Sequence, residues 1–388
     1  MIKKIAILGS TGSIGKSTID IIKKDKKNFK VILLTTNKNI KLILNQAREF
    51  KVKNIIVTSK KHFLKLKKKN KNKNLKIYNN FDHLNKIFKK KINYIMSSIT
   101  GLPGLKPTLL SIKYTKIIAI ANKESIICGW NLLNIKLKKY KTKFIPVDSE
   151  HFSLWKLIDD NNKKNIEKIY ITASGGPFLK FPLSKVKNAL PSHAIKHPNW
   201  SMGKKISVDS ATMINKVFEI IEAKKIFGID IKKFNILIHP KSYIHAIVKF
   251  KNGITKIIAH DTDMKIPIAN SIYFEENLSL KSNKLNLEIL NNLEFDKPDK
   301  KRFPGLLILK KITNLDTLFE TALISANDEL VNQFLQGKIK FYQIIDNLNA
   351  VLRSKSLKLL YKKKPSSFEQ IDQFKKIVTM KTRTVCKK

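Results

Sequence analysis

Short apolar runs alternate with longer polar stretches over about the first 125 residues of the chain. The first run, Ile5 to Leu8, leads through a glycine-rich turn into Ser17 to Lys24, an amphipathic helix with Ile19, Ile21 and Ile22 as its apolar positions. Strands that alternate with helices in this way form a parallel sheet with crossover helices. The predicted fold class of this part is therefore α/β.

The turn after the first run contains three glycines, in the sequence Gly9-Ser10-Thr11-Gly12-Ser13-Ile14-Gly15. Glycines let the backbone turn tightly and approach a pyrophosphate, whose charge is met by the amides of a helix N-terminus. The spacing is G-x-x-G-x-x-G and not G-x-G-x-x-G, so the motif alone also fits a structural turn. Its place between a strand and a helix favours dinucleotide binding.

The end of the second strand, Val31 to Thr36, bears on the choice of dinucleotide. An acidic residue there would bind the ribose hydroxyls of NAD, but Asn37-Lys38-Asn39 follows instead. A cation and two amides suit a 2′-phosphate, which favours NADP. The alternative is that Lys38 is simply one of the many surface lysines.

Polar residues also follow two later strands of the predicted sheet. Ile117 to Ile120 leads to Ala121-Asn122-Lys123-Glu124, and Phe144 to Val147 leads to Asp148-Ser149-Glu150-His151. Strand ends of this kind lie at the ligand-binding edge of a parallel sheet. If the chain is extended there, the carboxylates of Asp148 and Glu150 share one side and suit Mg²⁺ or Mn²⁺, although an isolated pair also fits a solvated loop.

The middle of the chain offers two further polar motifs. After the predicted strand Ile169 to Ile171, the segment Thr172 to Phe178 contains Ser-Gly-Gly, which can present backbone amides to an anion or form an ordinary Gly-Pro turn. The run from His197 to Glu219 combines hydroxyl, amide, ammonium and carboxylate groups, as a polyanionic substrate beside a metal requires. Ser210 to Glu219 is predicted as one helix, with Asn215 and Glu219 on the same face.

The last part of the chain has helical periodicity. Leu323, Leu330, Val331 and Phe334 are its apolar positions, and Gly337 marks a helix end. A length of 388 residues corresponds to two or three domains. The pattern therefore predicts that a helical region follows the α/β part.

The net charge of +48 suggests nucleic acid at first, but the composition argues against it. Of 77 basic residues, only Arg48, Arg302, Arg353 and Arg383 are arginines, and the lysines are spread along the whole chain. Nucleic-acid surfaces usually cluster their charge and use the planar guanidinium of arginine. We therefore expect no nucleic-acid partner, and we interpret the dense Lys65 to Lys76 stretch as a mobile surface loop.

Cysteine content and hydropathy indicate the compartment. Cys128 and Cys386 are too few for a disulfide framework, which fits a reducing cytoplasm. No signal-peptide pattern and no run of about 18 apolar residues is present, so neither export nor a membrane partner is expected.

Taken together, the motifs resemble those of the 1-deoxy-D-xylulose 5-phosphate reductoisomerase family over nearly the whole chain. The motifs that resemble it are GSTGSIG, ANKE, PVDSEH, TASGGPF, HPNWSMGKKISVDSATMINK, IHPKSYIH and DMKIPIA, in the family's order. The resemblance implies a homodimer with an NADPH-binding Rossmann-like domain over 1–148, a catalytic and dimerisation domain over 149–275, and a helical domain over 300–388. Residues 276–299 would be the linker.

The resemblance also implies roles for individual residues. Divalent Mg²⁺ or Mn²⁺ would be bound by Asp148, Glu150 and Glu219. NADPH would contact Thr11, Gly12, Ser13, Ile14, Asn37, Lys38, Asn39, Asn122, Glu124 and Gly203. The phosphosugar substrate would contact Lys123, Ser149, Glu150, Ser174, His197, Ser210, Asn215, Lys216 and Glu219. Of these, Lys123, Glu150 and His197 would be catalytic, and Trp200 and Met202 would lie on a loop, about 192–204, that closes over substrate.

The implied activity is the isomerisation of 1-deoxy-D-xylulose 5-phosphate by retro-aldol cleavage and recombination, then reduction by NADPH to 2-C-methyl-D-erythritol 4-phosphate, in the non-mevalonate isoprenoid pathway.

Two alternative functions would each require a distinct feature. A semialdehyde dehydrogenase needs a nucleophilic cysteine in a polar site, whereas Cys128 follows two isoleucines and is expected to be buried. A nucleic-acid-binding protein would bind DNA with a steep dependence on salt.

Overall fold

The computed structural model describes residues 2–158, 162–274, 283–312 and 316–387. These residues form two compact units. The described residues of the first unit fall within 1–125, 131–152 and 264–280, and those of the second within 126–130, 153–263 and 281–388. The predicted linker of residues 276–299 lies partly outside the described residues, because 276–282 are not among them.

The first unit is built on a parallel sheet of seven strands. Its elements in chain order are β1 (Lys3–Leu8), α1 (Ser13–Lys24), β2 (Phe29–Thr36), α2 (Ile40–Glu49), β3 (Asn54–Val57), α3 (Lys60–Lys69), β4 (Lys76–Tyr78), α4 (Leu84–Ile87), β5 (Ile92–Ser97), α5 (Leu105–Ser111), β6 (Thr115–Ile120), α6 (Lys123–Tyr140) and β7 (Lys143–Pro146). Helix α7 (Ser149–Leu157) begins in this unit. The α/β class predicted from the alternating pattern is confirmed.

The strand order is β4-β3-β2-β1-β5-β6-β7. The chain therefore builds the sheet outwards from β1 to one side and then returns to the other side with β5. All four residues from Ile5 to Leu8 are fully buried, as expected for a central strand covered on both faces. The point between β1 and β5 is where the order reverses, and nucleotides bind at such points in open α/β sheets.

A later segment of the chain completes the first unit. Helix α12 (Lys265–Ile272) packs against α1, and the Tyr94 hydroxyl and the Ser271 hydroxyl are 2.6 Å apart in a buried hydrogen bond. Nearby, the Tyr273 hydroxyl donates to the Asp25 carboxylate at 3.0 Å. Residues far apart in sequence thus share one core, which a reading of sequence periodicity does not reveal.

The second unit combines a four-stranded sheet with helices. Its strands are β8 (Ile166–Ala173), β9 (Phe234–Ile238), β10 (Ile244–Phe250) and β11 (Thr255–Ala259), in the order β11-β10-β8-β9. Strand β10 is antiparallel to both β11 and β8, whereas β8 and β9 are parallel. Its helices are α8 (Leu183–Val186), α9 (Pro191–Ala194), α10 (Lys204–Ala211), α11 (Ile214–Phe227), α13 (Leu287–Asn291), α14 (Leu318–Leu335), α15 (Phe341–Arg353), α16 (Lys355–Lys358) and α17 (Phe368–Cys386).

The C-terminal helices pack around α14. The residues Leu323, Leu330, Val331 and Phe334 are buried, and the helix ends at Leu335, followed by Gly337 with a positive φ of 72°. The predicted apolar face and helix end are confirmed. At the other end, Thr317 and Glu320 form a reciprocal capping box, which satisfies two backbone N–H groups.

Two local predictions are wrong. Residues 65–69 belong to helix α3, and the following turn is held by the Asn70 amide, which donates to the carbonyls of Asn72 and Leu75 at 3.1 and 3.3 Å. The Lys65 to Lys76 stretch is therefore a helix end and a hydrogen-bonded turn, not one continuous loop. Helix α1 begins at Ser13, before the predicted Ser17, because the glycine turn runs directly into it.

No helix within the described residues is both long enough and apolar enough to cross a membrane.

Candidate active site

The glycine turn lies at the reversal point of the first sheet, directly after β1. Gly9 has φ of +87°, a conformation that side chains other than glycine rarely adopt. A Cβ atom on Gly15 would overlap the carbonyl oxygen of Gly9, so close packing of α1 on the turn also requires glycine there. Glycine at both positions thus allows the start of α1 to pack closely against the end of β1.

Buried side chains hold this turn in place. The Ser10 hydroxyl donates to the Gln46 side-chain oxygen at 2.8 Å, and the hydroxyls of Thr11 and Thr36 are 2.7 Å apart. Gly12 is the N-cap of α1, and Ser13 and Ile14 form the start of its first turn. The four predicted cofactor residues from Thr11 to Ile14 therefore stand at a helix N-terminus, where backbone N–H groups favour an anion.

The three residues after β2 are exposed beside this turn. The Asn37 amide donates to the Thr58 hydroxyl at 2.8 Å, and the Asn39 side chain accepts from the Leu42 amide at 3.1 Å to cap α2. Lys38 lies between them; its carbonyl accepts from the Ile40 amide at 2.9 Å, and its side chain is exposed. This arrangement leaves the ammonium group of Lys38 accessible to a phosphate.

The segment after β6 is buried. The Asn122 amide donates to the carbonyls of Ile99 and Gly101, and its oxygen accepts from the Ser125 amide at 2.7 Å. Its side chain therefore caps α6 and braces the loop after β5. Glu124 is also buried, in the first turn of α6.

Asp148 and Lys123 form a buried ion pair at the same sheet edge. The Lys123 ammonium lies 2.8 Å from the Asp148 carboxylate, and the His151 ring nitrogen lies 3.4 Å from its other oxygen. Burial by itself raises the pKa of Asp148, but the Lys123 charge and the His151 hydrogen bond outweigh it and hold the pKa well below its usual range. Asp148 is therefore ionised at neutral pH.

Asp148 and Glu150 would share one side of the chain only if it were extended there, and this condition is not met. The strand ends at Pro146, and helix α7 begins at Ser149, so Glu150 is in the first helical turn, where a carboxylate is favoured. The Ser149 hydroxyl donates to the Glu150 carboxylate. The two carboxylates thus flank the start of a helix instead of alternating along a strand.

In the second unit, the predicted anion nest follows β8. Gly175 and Gly176 have φ of +84° and +65°, and the Gly176 amide donates to the Ser174 hydroxyl at 3.1 Å. The Arg302 guanidinium donates to the carbonyls of Phe178 and Phe181, both at 2.7 Å, and so fixes the far end of the loop. Sequence reasoning gave no role to Arg302, although it is one of only four arginines.

His197 is oriented by contacts on both ring nitrogens. Nδ1 accepts from the backbone N–H groups of Asn199 and Trp200 at 3.2 and 3.0 Å, so the proton of the neutral ring is on Nε2, 2.9 Å from the Ser174 hydroxyl. Burial, reinforced by the positive charge of Lys216, lowers the pKa of His197 to about 4. At neutral pH this side chain is therefore a hydrogen-bond donor.

The predicted single helix over Ser210 to Glu219 is in fact two helices. α10 ends at Ala211 and α11 begins at Ile214, because Met213 between them has φ of +61°. The break separates Ser210 from Asn215 but leaves Ser210 beside the nest: a Cβ atom on Gly176 would stand 3.0 Å from the Ser210 carbonyl oxygen. The loop and α10 thus touch backbone to backbone.

Asn215, Lys216 and Glu219 meet on the first turns of α11, as the i and i+4 spacing predicts. The Asn215 amide and the Lys216 ammonium both contact the Glu219 carboxylate, which is 1% exposed. The Lys216 charge and the Asn215 amide donor offset the desolvation cost of burying the Glu219 carboxylate.

Of the predicted segment 192–204, residues 192–194 belong to α9, and residues 195–203, which include Trp200 and Met202, carry no helix. The exposed Gly203 is the N-cap of α10. The Trp200 ring meets the buried His245 ring edge to face at 6.0 Å, and His245 stacks on His260 at 3.7 Å. Burial and the neighbouring His260 hold the pKa of His245 well below its usual range. Sequence reasoning left His245 without a role, although it ends the IHPKSYIH motif.

Cys128 is buried, as predicted. It is 3% exposed, and its sulfur lies 3.9 Å from the Glu320 carbonyl oxygen. An enclosed thiol of this kind does not meet the need of a dehydrogenase for an accessible nucleophile.

Family models match three segments of the chain. The model described as 1-deoxy-D-xylulose 5-phosphate reductoisomerase matches residues 5–129, and the model for the C-terminal domain of the same enzyme matches residues 144–227. A further model, described as the DXP reductoisomerase C-terminal domain, matches residues 260–383. The matches therefore extend over most of the chain.

Individual relatives agree with these matches. The chain is 57% identical to the 1-deoxy-D-xylulose 5-phosphate reductoisomerase of Pelagibacter ubique over 98% of both chains, and 38% identical to that of a Wolbachia strain from Drosophila simulans over 91% of this chain and 90% of the relative.

Solved structures are similar over their full length. A DOX-P reductoisomerase in complex with NADPH, fosmidomycin and magnesium has a TM-score of 0.93 and 31% identity, with 100% of this chain and 98% of the other covered. The Zymomonas mobilis enzyme in complex with NADPH has a TM-score of 0.88 and 30% identity, with coverage of 100% and 99%. The chain belongs to the 1-deoxy-D-xylulose 5-phosphate reductoisomerase family.

Proposed function

We propose that the protein converts 1-deoxy-D-xylulose 5-phosphate to 2-C-methyl-D-erythritol 4-phosphate by isomerisation and NADPH-dependent reduction, with a divalent metal ion, as a step of non-mevalonate isoprenoid synthesis. The 57% identity to a reductoisomerase over 98% of both chains is the main support. One similar structure holds NADPH and magnesium together, which supports both cofactors here.

The nucleotide site is proposed at the reversal point of the first sheet. The helix N-terminus at Gly12 to Ile14 meets the pyrophosphate, and the exposed ammonium of Lys38 between Asn37 and Asn39 meets the 2′-phosphate. Thr11, Asn122 and Glu124 shape the same edge, and Gly203 completes the predicted set. NADPH supplies the hydride that reduces the aldehyde.

The proposed ligands of Mg²⁺ or Mn²⁺ are Asp148, Glu150 and Glu219. Their chemistry fits a hard cation, since all three offer carboxylate oxygens. Asp148 is ionised at neutral pH, and Glu219 is already held by cationic and amide donors. A divalent ion acts as a Lewis acid on a ketone and an adjacent hydroxyl.

The phosphate of the substrate is proposed to bind in the second unit. The donors there are the Ser174 and Ser210 hydroxyls, the Asn215 amide and the Lys216 ammonium. The neutral His197 ring adds an N–H group, because Nδ1 is occupied by backbone donors. Lys123 and Ser149 would contact the sugar at the metal end. Lys123, Glu150 and His197 are the proposed catalytic residues.

The segment of about 192–204 is proposed to close over the substrate, with Trp200 and Met202 on it. Its hinge is held at His197, whose ring accepts from two amides of the segment. An indole at this place would exclude water from the reacting groups.

The proposed assembly is a homodimer in the cytoplasm, with the family's three-part organisation over 1–148, 149–275 and 300–388. Size-exclusion chromatography with light scattering tests the first point. A monomer at micromolar concentration would contradict the dimer without touching the proposed reaction.

The decisive assay mixes the protein with 1-deoxy-D-xylulose 5-phosphate, NADPH and Mg²⁺, and follows the loss of NADPH absorbance together with the product by mass spectrometry. We expect turnover that stops when a chelator is added and returns with Mg²⁺ or Mn²⁺. A Cys128→Ser variant should keep its activity, which separates this reaction from thiol chemistry. Absence of metal-dependent product from folded protein would contradict the proposal.

A further inference from the structure

Helices α10 and α14 are joined by a buried hydrogen bond between polar side chains. The Asn327 amide donates to the Asp209 carboxylate at 2.7 Å, and both residues are at most 1% exposed. Asp209 precedes Ser210 in the last turn of α10. Helix α14 thus contacts the helix that carries Ser210, a proposed phosphate ligand, at the residue next to Ser210.

Lys205 extends this contact into a network. Its ammonium lies 3.0 Å from the second Asp209 oxygen and 2.9 Å from Asp328, the residue after Asn327. It also lies 5.4 Å from the centre of the buried Phe218 ring of α11. One lysine therefore connects the start of α10 with its end, with α14 and with α11.

The backbone around Ser210 is tightly enclosed on two further sides. Gly176 of the anion nest approaches the Ser210 carbonyl, and a Cβ atom on Gly305 would stand 2.6 Å from the carbonyl oxygen of Thr212. The junction from Ser210 to Met213 cannot shift towards either neighbour. The contacts of the Asp209 side chain with Asn327 and Lys205 then limit rotation of the short helix α10.

The energetics favour a specific role for the pair. An eight-residue helix such as α10 is not stable by its own hydrogen bonds, so its orientation depends on tertiary contacts. A buried carboxylate that loses a hydrogen-bond donor carries an uncompensated desolvation cost. The helix would turn to relieve this cost, and Ser210 would turn with it.

We propose that Asn327, acting through Asp209, is a positioning residue that fixes the Ser210 hydroxyl for the substrate phosphate. The proposal rests on the proposed function, since it assigns helix α14 a part in substrate affinity. Asn327 itself is not proposed to contact substrate or cofactor. Its effect is carried by the orientation of α10.

The test is a double-mutant cycle in which the amide of Asn327 and the carboxylate of Asp209 are exchanged. Asn327→Asp sets two carboxylates against each other, and we expect it to raise KM for 1-deoxy-D-xylulose 5-phosphate roughly tenfold with little change in KM for NADPH. Asp209→Asn should raise it less, because an amide pair can still form one hydrogen bond. The double variant restores an amide and a carboxylate with their places exchanged, and should recover most of the affinity.

Glu320→Gln serves as the matched control. Glu320 is fully buried on the same helix and pairs with Lys225 of α11. Within the described residues it makes no hydrogen bond or ion pair with α10. We expect it to lower the unfolding temperature as much as Asn327→Asp without raising KM. Equal increases in KM for both variants, or a double variant no better than Asn327→Asp, would overturn the positioning role.

The outcomes also separate the two proposals. A folded wild-type protein without turnover contradicts the proposed function. Normal wild-type turnover with an unchanged KM in Asn327→Asp contradicts only the role of Asn327. Should Asn327→Asp fail to fold, Asn327→Ser, which removes the amide without adding a charge, gives the same comparison.

Discussion

The Nε2 atom of His197 lies 2.9 Å from the Ser174 hydroxyl, and the opposite ring nitrogen accepts from the amides of Asn199 and Trp200. One neutral imidazole therefore joins the anion nest after β8 to the segment that carries Trp200. Protonation of Nδ1 would remove the acceptor that both amides share.

The first prediction concerns the pH dependence of stability. The pKa of His197 is about 4 in the folded chain and 6.5 in an unperturbed histidine, so the unfolded chain takes up a proton first as the pH falls. The free energy of unfolding should be fully retained above pH 6.5 and decrease towards pH 4. Urea unfolding across this window should show a smaller decrease for His197→Gln.

The variant should keep part of the dependence. The pKa values of His239, His245 and His260 are also lowered, chiefly by burial, and these residues act in the same direction. A wild-type stability that rises as the pH falls through this window would contradict the assigned neutral state of these histidines.

The second prediction tests the contact between the nest and α10. Gly176→Ala would place a methyl group 3.0 Å from the Ser210 carbonyl oxygen at a residue with φ of +65°. We expect a higher KM for the phosphosugar and a stability loss of about 1–2 kcal/mol from the left-handed backbone. Gly337→Ala is the matched control, because its φ is +72° and nothing lies within 4 Å of the added atom.

Both variants should lose similar stability in urea unfolding, but only Gly176→Ala should change KM. An unchanged KM in Gly176→Ala would show that substrate binding does not depend on the close contact between Gly176 and Ser210.

The third prediction concerns Glu219. Glu219→Gln removes the charge that a divalent ion needs while leaving an oxygen for Asn215 to contact. Turnover should be abolished, whereas NADPH binding, followed by the fluorescence of the nucleotide, should remain measurable. Full activity in this variant would exclude Glu219 as a metal ligand.

The fourth prediction concerns the stability of the second unit. The buried Lys225 ammonium lies 2.6 Å from both Glu320 and Asp316. Lys225→Met leaves the buried Glu320 charge without its ammonium partner, and should reduce the free energy of unfolding by about 3–5 kcal/mol. Adding Glu320→Leu should recover part of the loss, which urea unfolding would measure. A double variant less stable than Lys225→Met would argue that Glu320 acts mainly as the cap of α14.

Local sequence rules predicted the elements with strong periodicity. The β1 strand and its glycine turn follow from alternating apolar residues and from the conformational freedom of Gly9. The shared face of Asn215 and Glu219 follows from the helical repeat, and the burial of Leu323 and Leu330 from the same period. Each of these depends on neighbours within a few positions along the chain.

The helix boundaries that local rules did not predict depend on tertiary packing. The break between Ser210 and Asn215 depends on the left-handed Met213, which packs in the core with 2% exposure, and no local preference marks that residue as a helix end. Similarly, the shared side of Asp148 and Glu150 depended on an extended chain after the strand, whereas helix α7 begins at Ser149.

The sequence by itself determined the alternating α/β pattern, the family and the residue types that a phosphosugar and a metal require, because these are properties of local spacing and chemical identity. Only the tertiary structure decided which nitrogen of His197 carries the proton, how Arg302 holds the nest, and that Asn327 reaches Asp209 across 118 positions of the chain. Such contacts depend on how distant elements pack, and packing is set by the whole core and not by any local run of residues.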